Sequence, residues 1–220
     1  MAALDSLVQA GKVRYLGVSD TPAWKIVEAN LIARFRGWSA LIGLQIEYSL
    51  LERTVEQELV PMASEFGLGI TPWSPLKSGV LSGKYTRRNS GQHKADRGAL
   101  VEAFLNEKAY AIVDELEVIA NAHETTVASV ALAWVLAQPA VSSVIIGARR
   151  LSQLDDNVGA VELNLTAGEL ARLNAVTEPT FGFPHRMLID APSIFNGGTT
   201  VNGVSAPISE YVMPEGIKPY

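Results

Sequence analysis

Side chains able to do chemistry gather where short apolar runs of this sequence end. One run closes at Ser19 and Asp20, a second passes through Gln45, a third stops at Trp73, and a fourth stops at Gly147, Ala148 and Arg149. Trp73 opens onto Ser74, Pro75, Leu76, Gly79, Leu81, Gly83 and Lys84, part of a glycine-bearing basic loop. Hydroxyl, carboxylate and amide groups can orient a polar ligand group. An indole offers a flat apolar face with one N–H at its edge. Glycines let backbone approach a ligand closely, and Lys84 adds positive charge. Backbone N–H groups at a helix start suit an anion, and the Arg149 guanidinium can hold a phosphate through two parallel hydrogen bonds. Gln153 and Asn157, four residues apart, share one helix face, with Asp156 alongside. Each feature also has a plain structural reading: a helix cap for Ser19 and Asp20, a core residue for Trp73, a surface connection for the loop, and solvated polar groups for Gln153 and Asn157.

Composition narrows the chemistry. With no cysteine among 220 residues there is no thiolate nucleophile, thiolate metal site or disulfide framework. Redox chemistry would need a bound cofactor. His93, His123 and His185 share no metal-ligand spacing, so no metal site is expected. The 18 Lys and Arg are scattered among 23 Asp and Glu, giving a net charge of -5, which argues against a nucleic-acid partner. No apolar run approaches the roughly 20 residues of a membrane span, and residues 1–10 lack a signal-peptide pattern. The expectation is a soluble, cytoplasmic chain with no membrane partner. Its 48% hydrophobic content suffices for a buried core.

Positioning the polar residues requires strand-to-helix junctions, and the residue pattern supplies them. Residues 1–10 read as a helix capped by Gly11 and residues 13–18 as a strand. Pro22, after Ser19, Asp20 and Thr21, starts a helix through about residue 35. A strand over 41–48 leads to Glu52, Arg53 and Thr54, where Thr54 and Gln57 fit a capping box for a helix through Phe66, closed by Gly67. Residues 68–73 form a third strand and 76–103 a long loop. Helices follow over 106–122 and 126–138, a fourth strand over 141–146, then helices over 151–160 and 166–176. Thr166 and Glu169 form a capping box for the last. Residues 177–220, rich in proline and without sustained period, read as an irregular tail packed over the domain or partly mobile. Four strand-helix units are too few for a closed parallel barrel, which needs eight strands and about 250 residues.

Four segments carry a family resemblance: Gly11-Lys-Val-Arg-Tyr-Leu-Gly-Val-Ser-Asp20, Gln45-Ile-Glu-Tyr-Ser-Leu-Leu-Glu-Arg53, Thr71-Pro-Trp-Ser-Pro-Leu-Lys-Ser-Gly-Val-Leu-Ser-Gly-Lys-Tyr85 and Ile145-Ile-Gly-Ala-Arg-Arg-Leu-Ser-Gln-Leu-Asp-Asp-Asn157. In this order and at these junctions, the chain resembles the C-terminal half of an aldo-keto reductase. The resemblance implies an α/β fold, a TIM-type (β/α)8 barrel. Residues 1–176 would supply only its C-terminal four strand-helix units, and 177–220 its tail. It implies NADPH as cofactor and a small aldehyde or ketone as substrate. Ser19, Asp20 and Gln45 would hydrogen-bond the nicotinamide carboxamide, and Trp73 would stack on the ring. Ser74, Pro75, Leu76, Gly79, Leu81, Gly83 and Lys84 would shape the pyrophosphate loop. Gly147, Ala148 and Arg149 would receive the adenosine 2'-phosphate, and Gln153, Asp156 and Asn157 the adenosine end. The family usually carries Asn where Asp20 stands, so the carboxylate removes one amide donor.

The family's catalytic Asp, Tyr, Lys and His match no segment of this chain, and no catalytic residue is assigned. Tyr48 and Lys84 match cofactor-half motifs instead. Met1 to Leu7 resembles the second half of the family's fourth helix. The expectation is therefore a truncated NADPH-dependent carbonyl reductase, lacking its N-terminal catalytic half and completed by a partner half-barrel or by self-association. The alternative is a non-catalytic NADPH-binding or interaction subunit, or an inactive gene fragment.

Overall fold

A computed structural model describes residues 1–89 and 99–209. His93 and parts of the expected loop and tail lie outside the described residues. Helix and strand alternate through the first third: α1 (Ala2–Gln9), β1 (Leu16–Ser19), α2 (Ala23–Arg36), β2 (Leu41–Glu47), α3 (Leu59–Phe66) and β3 (Gly69–Trp73). Gly37 and Gly67 take left-handed backbone, φ 68° and 70°, and end α2 and α3 so that the chain turns back into the next strand.

The three strands form a parallel sheet in the order β1-β2-β3. Its register aligns Gly17, Gly43 and Gly69 in one row and Ser19, Gln45 and Thr71 in the next, with Glu47 opposite Trp73. The opposite face buries Leu44, Ile46 and Ile70 against Ile26 of α2 and Met62 and Ala63 of α3. Between Leu16 and Gly17 the register slips by one residue, leaving Ile42 as an exposed bulge. Buried Asn30 stabilises this point: its side chain accepts from the Leu41 N–H at 2.8 Å and donates to the Leu41 carbonyl at 3.3 Å.

The expected fourth strand over 141–146 is not formed. Ile70 exchanges hydrogen bonds with the Ala140 carbonyl and the Ser142 N–H, making a single parallel bridge to Val141. The next donor on that edge would be the nitrogen of Pro72, which carries no hydrogen. The Pro72 carbonyl then accepts from Ile145, one residue beyond regular register. The segment runs beside β3 without completing a ladder.

The loop expected over 76–103 contains short 3-10 turns at Lys77–Ser82 and Arg87–Asn89, and α4 (Ala99–Glu102). After it come α5 (Glu107–Ala122), α6 (Val127–Leu136), α7 (Leu151–Gly159) and α8 (Ala167–Val176). Asn106, Thr126 and Thr166 cap α5, α6 and α8 through their side chains, the last with Glu169 in the expected capping box. Two other expected caps fail. Pro22 itself is the cap residue of α2, while Ser19 and Asp20 bond elsewhere. The Thr54 hydroxyl and N–H both bond to the Glu52 carboxylate, so Thr54 begins a 3-10 turn and α3 starts later, at Leu59.

Leu116, Ile119, Val130, Trp134 and Leu173 form a second core with Tyr48 and Leu50. Tyr48 meets Trp134 edge-on, with ring centroids 5.7 Å apart, and the Trp134 indole donates to Asn174 at 3.1 Å.

The chain divides into two compact units, Met1–Pro179 and Thr180–Tyr220. The second is not wholly irregular. It holds α9 (His185–Phe195) and a hairpin of β4 (Thr200–Val201) and β5 (Val204–Ser205). Asn202 and Gly203, both at positive φ, make the two-residue turn that suits the twist of paired strands.

Candidate functional site

Trp73, the loop after it and the start of α7 surround one groove of about 1100 Å³. Trp73, Ser74, Pro75, Leu76, Gly79, Gly83 and Lys84 line one side, and Gly147, Ala148, Arg149, Gln153, Asp156 and Asn157 the other. Residues 70 positions apart in sequence are thus neighbours because the 141–146 segment runs beside β3.

The loop is held in a costly conformation. Ser74, Lys77 and Ser78 have φ of 53°, 44° and 56°, each disfavoured by roughly 1 kcal/mol or more for a residue with a Cβ. Ser78 N–H bonds to the Ser74 hydroxyl, and the Ser82 hydroxyl donates to the Gly79 carbonyl at 2.7 Å. Gly83 has φ 78°, and a Cβ there would meet the Val127 side chain of α6 at 3.0 Å, so glycine is required on both counts. Leu81 differs from its neighbours: its side chain is fully buried in the α5–α6 core and anchors the loop instead of facing the groove.

Lys77 was not singled out from sequence. It is buried, with its ammonium 2.9 Å from Glu47 and 3.4 Å from Glu52 and lying over the Phe104 ring. Glu47 stands at the end of β2, opposite Trp73, so this ion cluster ties the loop to the strand ends. A lysine and two glutamates this far apart in sequence carry no local signal of pairing.

Ser19, Asp20 and Gln45 do not line the groove. They lie at adjoining strand ends, with Ser19 in register with Gln45 and the Asp20 N–H donating to the Gln45 carbonyl at 3.1 Å. One contact joins them to the groove: Trp73 Nε1 donates to Asp20 Oδ1 at 3.0 Å. The indole edge is thereby fixed where Trp73 borders the groove.

At the opposite end, the backbone N–H groups of Arg149 and Arg150 donate to Gln153 Oε1 at 3.0 and 3.2 Å. Gln153 therefore satisfies the start of α7 from within, which leaves its Nε2 as the donor for other contacts. Both arginine side chains are exposed beside it, and Asn157 is buried in the wall. Ser129 of α6 donates to the Asp156 carbonyl at 2.9 Å and fixes α7 against the core.

Tyr48 is buried and does not line the groove. Its hydroxyl donates to Glu56 at 2.8 Å, and burial together with the Glu56 charge pushes its pKa well above the ordinary tyrosine value. Glu56 is also held by Arg53, which bonds onward to Thr177 after α8. His123 pairs with Glu169 at 2.8 Å, away from the groove-lining residues. Among the described residues, no helix is long and apolar enough to cross a membrane.

The groove is built from the segments that also carry similarity to known proteins. The profile of the Aldo/keto reductase family matches residues 1–178. An uncharacterized oxidoreductase of Bacillus subtilis is 39% identical over 174 residues, covering 79% of this chain and 52% of that protein. A versiconal hemiacetal acetate reductase of Aspergillus parasiticus is 33% identical, covering 79% and 51%. A probable aryl-alcohol dehydrogenase of Saccharomyces cerevisiae is 30% identical over 213 residues, covering 95% and 64%. The chain spans about half to two thirds of the length of these relatives. Since the family match runs from α1 through α8 and takes in every wall of the groove, this chain belongs to the aldo/keto reductase family.

Proposed function

We propose that this chain forms the coenzyme-binding part of an NADPH-dependent oxidoreductase that reduces aldehydes or ketones to alcohols. The observation that carries the proposal is the single groove with an indole at one end and two exposed arginines at the other. A dinucleotide needs that separation: a flat apolar contact for its ring, close backbone for its pyrophosphate and cations for its adenosine phosphate. The donor set fits. Trp73 is fixed at its edge, Gly79 and Gly83 open the loop, and Lys84, Arg149 and Arg150 supply charge. When bound, the coenzyme supplies hydride to the carbonyl carbon.

The residues around the groove position that coenzyme. Ser74 to Lys84 hold the pyrophosphate, Arg149 grips the 2'-phosphate, and Gln153, Asp156 and Asn157 face the adenosine. In this reading the proton reaches the carbonyl oxygen from a group outside the segments lining the groove. The β1 edge of the sheet is where a complementary half-barrel or a second copy would pair to complete the barrel in the cytoplasm, with the polar face that carries Gln45 and Glu47 turned to its interior.

The test is a titration of tryptophan fluorescence with NADPH and NADH, using Trp73→Phe to assign the signal. Saturable quenching by NADPH is expected. Replacing Arg149 by Ala should weaken NADPH by about tenfold or more, the size of one charge-assisted phosphate contact, while NADH changes little. Equal losses for both coenzymes would contradict the role of Arg149, and no quenching at saturating coenzyme would contradict the function.

A further inference from the structure

We propose that the Asp20 carboxylate makes this site prefer the oxidised coenzyme, holding the cationic nicotinamide ring of NADP+ more tightly than the neutral dihydronicotinamide ring of NADPH. The inference rests on the coenzyme reading given above and adds to it a preference for one redox form.

Asp20 ends β1 with φ 48°, a left-handed backbone that Asp tolerates better than most residues. Three bonds fix it there. Its N–H donates to the Gln45 carbonyl at 3.1 Å, Oδ1 accepts from Trp73 Nε1 at 3.0 Å, and Oδ2 accepts from the Ser19 hydroxyl at 2.9 Å. Both side-chain donors are neutral. Among the described residues no cation pairs with this carboxylate, so its negative charge stays uncompensated at the edge of the indole.

The neighbouring groups reinforce that sign. Lys77 carries one positive charge between Glu47 and Glu52, which leaves one net negative charge in the cluster beside Trp73. Lys84, Arg149 and Arg150 lie along the loop and at the α7 end of the groove. Negative charge thus lies behind the indole end of the groove, while two arginines against one Asp156 leave the α7 end positive, the polarity of a molecule with a cationic ring and anionic phosphates. NADP+ and NADPH bear the same phosphates. Contacts to Arg149 and Lys84 therefore cancel in the ratio of their affinities, and the ring charge alone remains.

Asp20 is exposed, so solvent screens the interaction. One pair of opposite charges under such screening should change affinity by about three- to tenfold. Asp20→Asn isolates the charge, because the amide oxygen can still accept the Trp73 N–H and keep the indole in place.

The experiment measures dissociation constants of wild type and Asp20→Asn for NADP+ and NADPH by titration calorimetry, at low salt and at roughly 0.5 M salt. The ratio of NADP+ to NADPH affinity is expected to fall about three- to tenfold in the variant, whatever the amide does to both forms alike. The wild-type preference should also shrink at high salt. An unchanged NADP+ to NADPH ratio in the variant, or a preference insensitive to salt, overturns the inference while leaving the coenzyme reading in place. Wild type that binds neither form overturns both.

Discussion

Lys77 shows how one side chain organises this site from beneath. Its ammonium is withdrawn from solvent and shared by Glu47 and Glu52, while its backbone sits at φ 44° in the strained stretch that borders the groove. The cluster offsets that strain by tying the loop to the end of β2. Lys77→Met keeps the aliphatic stem and removes the charge, leaving two partly buried glutamates facing each other without a cation. Unfolding in urea should show a loss of about 3 kcal/mol, the lower part of the range for breaking a buried pair, because both glutamates retain some solvent contact. A loss under about 1 kcal/mol would show that the pair is only a surface contact. Asp20 and Gln153 likewise have assignments that sequence alone left open: the first holds an indole, the second closes a helix start.

At the scale of elements, α8 is specified locally. Thr166 and Glu169 satisfy each other's backbone N–H groups, and Glu169 also accepts from His123 across the α5–α6 connection. The Thr166 N–H and hydroxyl hold the Glu169 carboxyl below its ordinary pKa, with His123 adding to the effect. Because the folded value is depressed, this stabilisation is present above the unfolded value near 4.5 and is lost as pH falls through the folded one. Thermal melts from neutral pH to pH ~3 should show wild type losing stability on acidification, and Glu169→Gln starting lower but falling less. Parallel curves would contradict the assignment. Elements of this local kind were legible: the glycine stops at 37 and 67, the cap at Thr166, the helices around Tyr110 and Trp134. Features decided by competition between neighbours were not. Glu52 captures Thr54 before it can cap α3, and Pro72 withholds the donor that a fourth strand needs. Asn202-Gly203 is a hairpin signal whose flanking strands, two residues each, were too short to register as a period.

At the scale of the whole molecule, residues from three distant stretches of sequence come together in one groove, all of them within the span matched by the family. The order of motifs was readable because each falls at an expected strand-to-helix junction, where parallel α/β folds place ligands, although the last follows an irregular segment and not a strand. The relative position of Trp73 and Arg149 was not, since it depends on an irregular segment laid beside β3. The sheet itself remains a three-stranded parallel layer, with helices over one face and Gly17, Gln45, Glu47 and Thr71 on the other. The most direct test of the central claim is a crystal structure of the chain grown with saturating NADPH. The account predicts electron density along the groove, with the nicotinamide ring against the Trp73 indole and the 2'-phosphate on Arg149. A groove without coenzyme, or a coenzyme bound at some other surface, would contradict it.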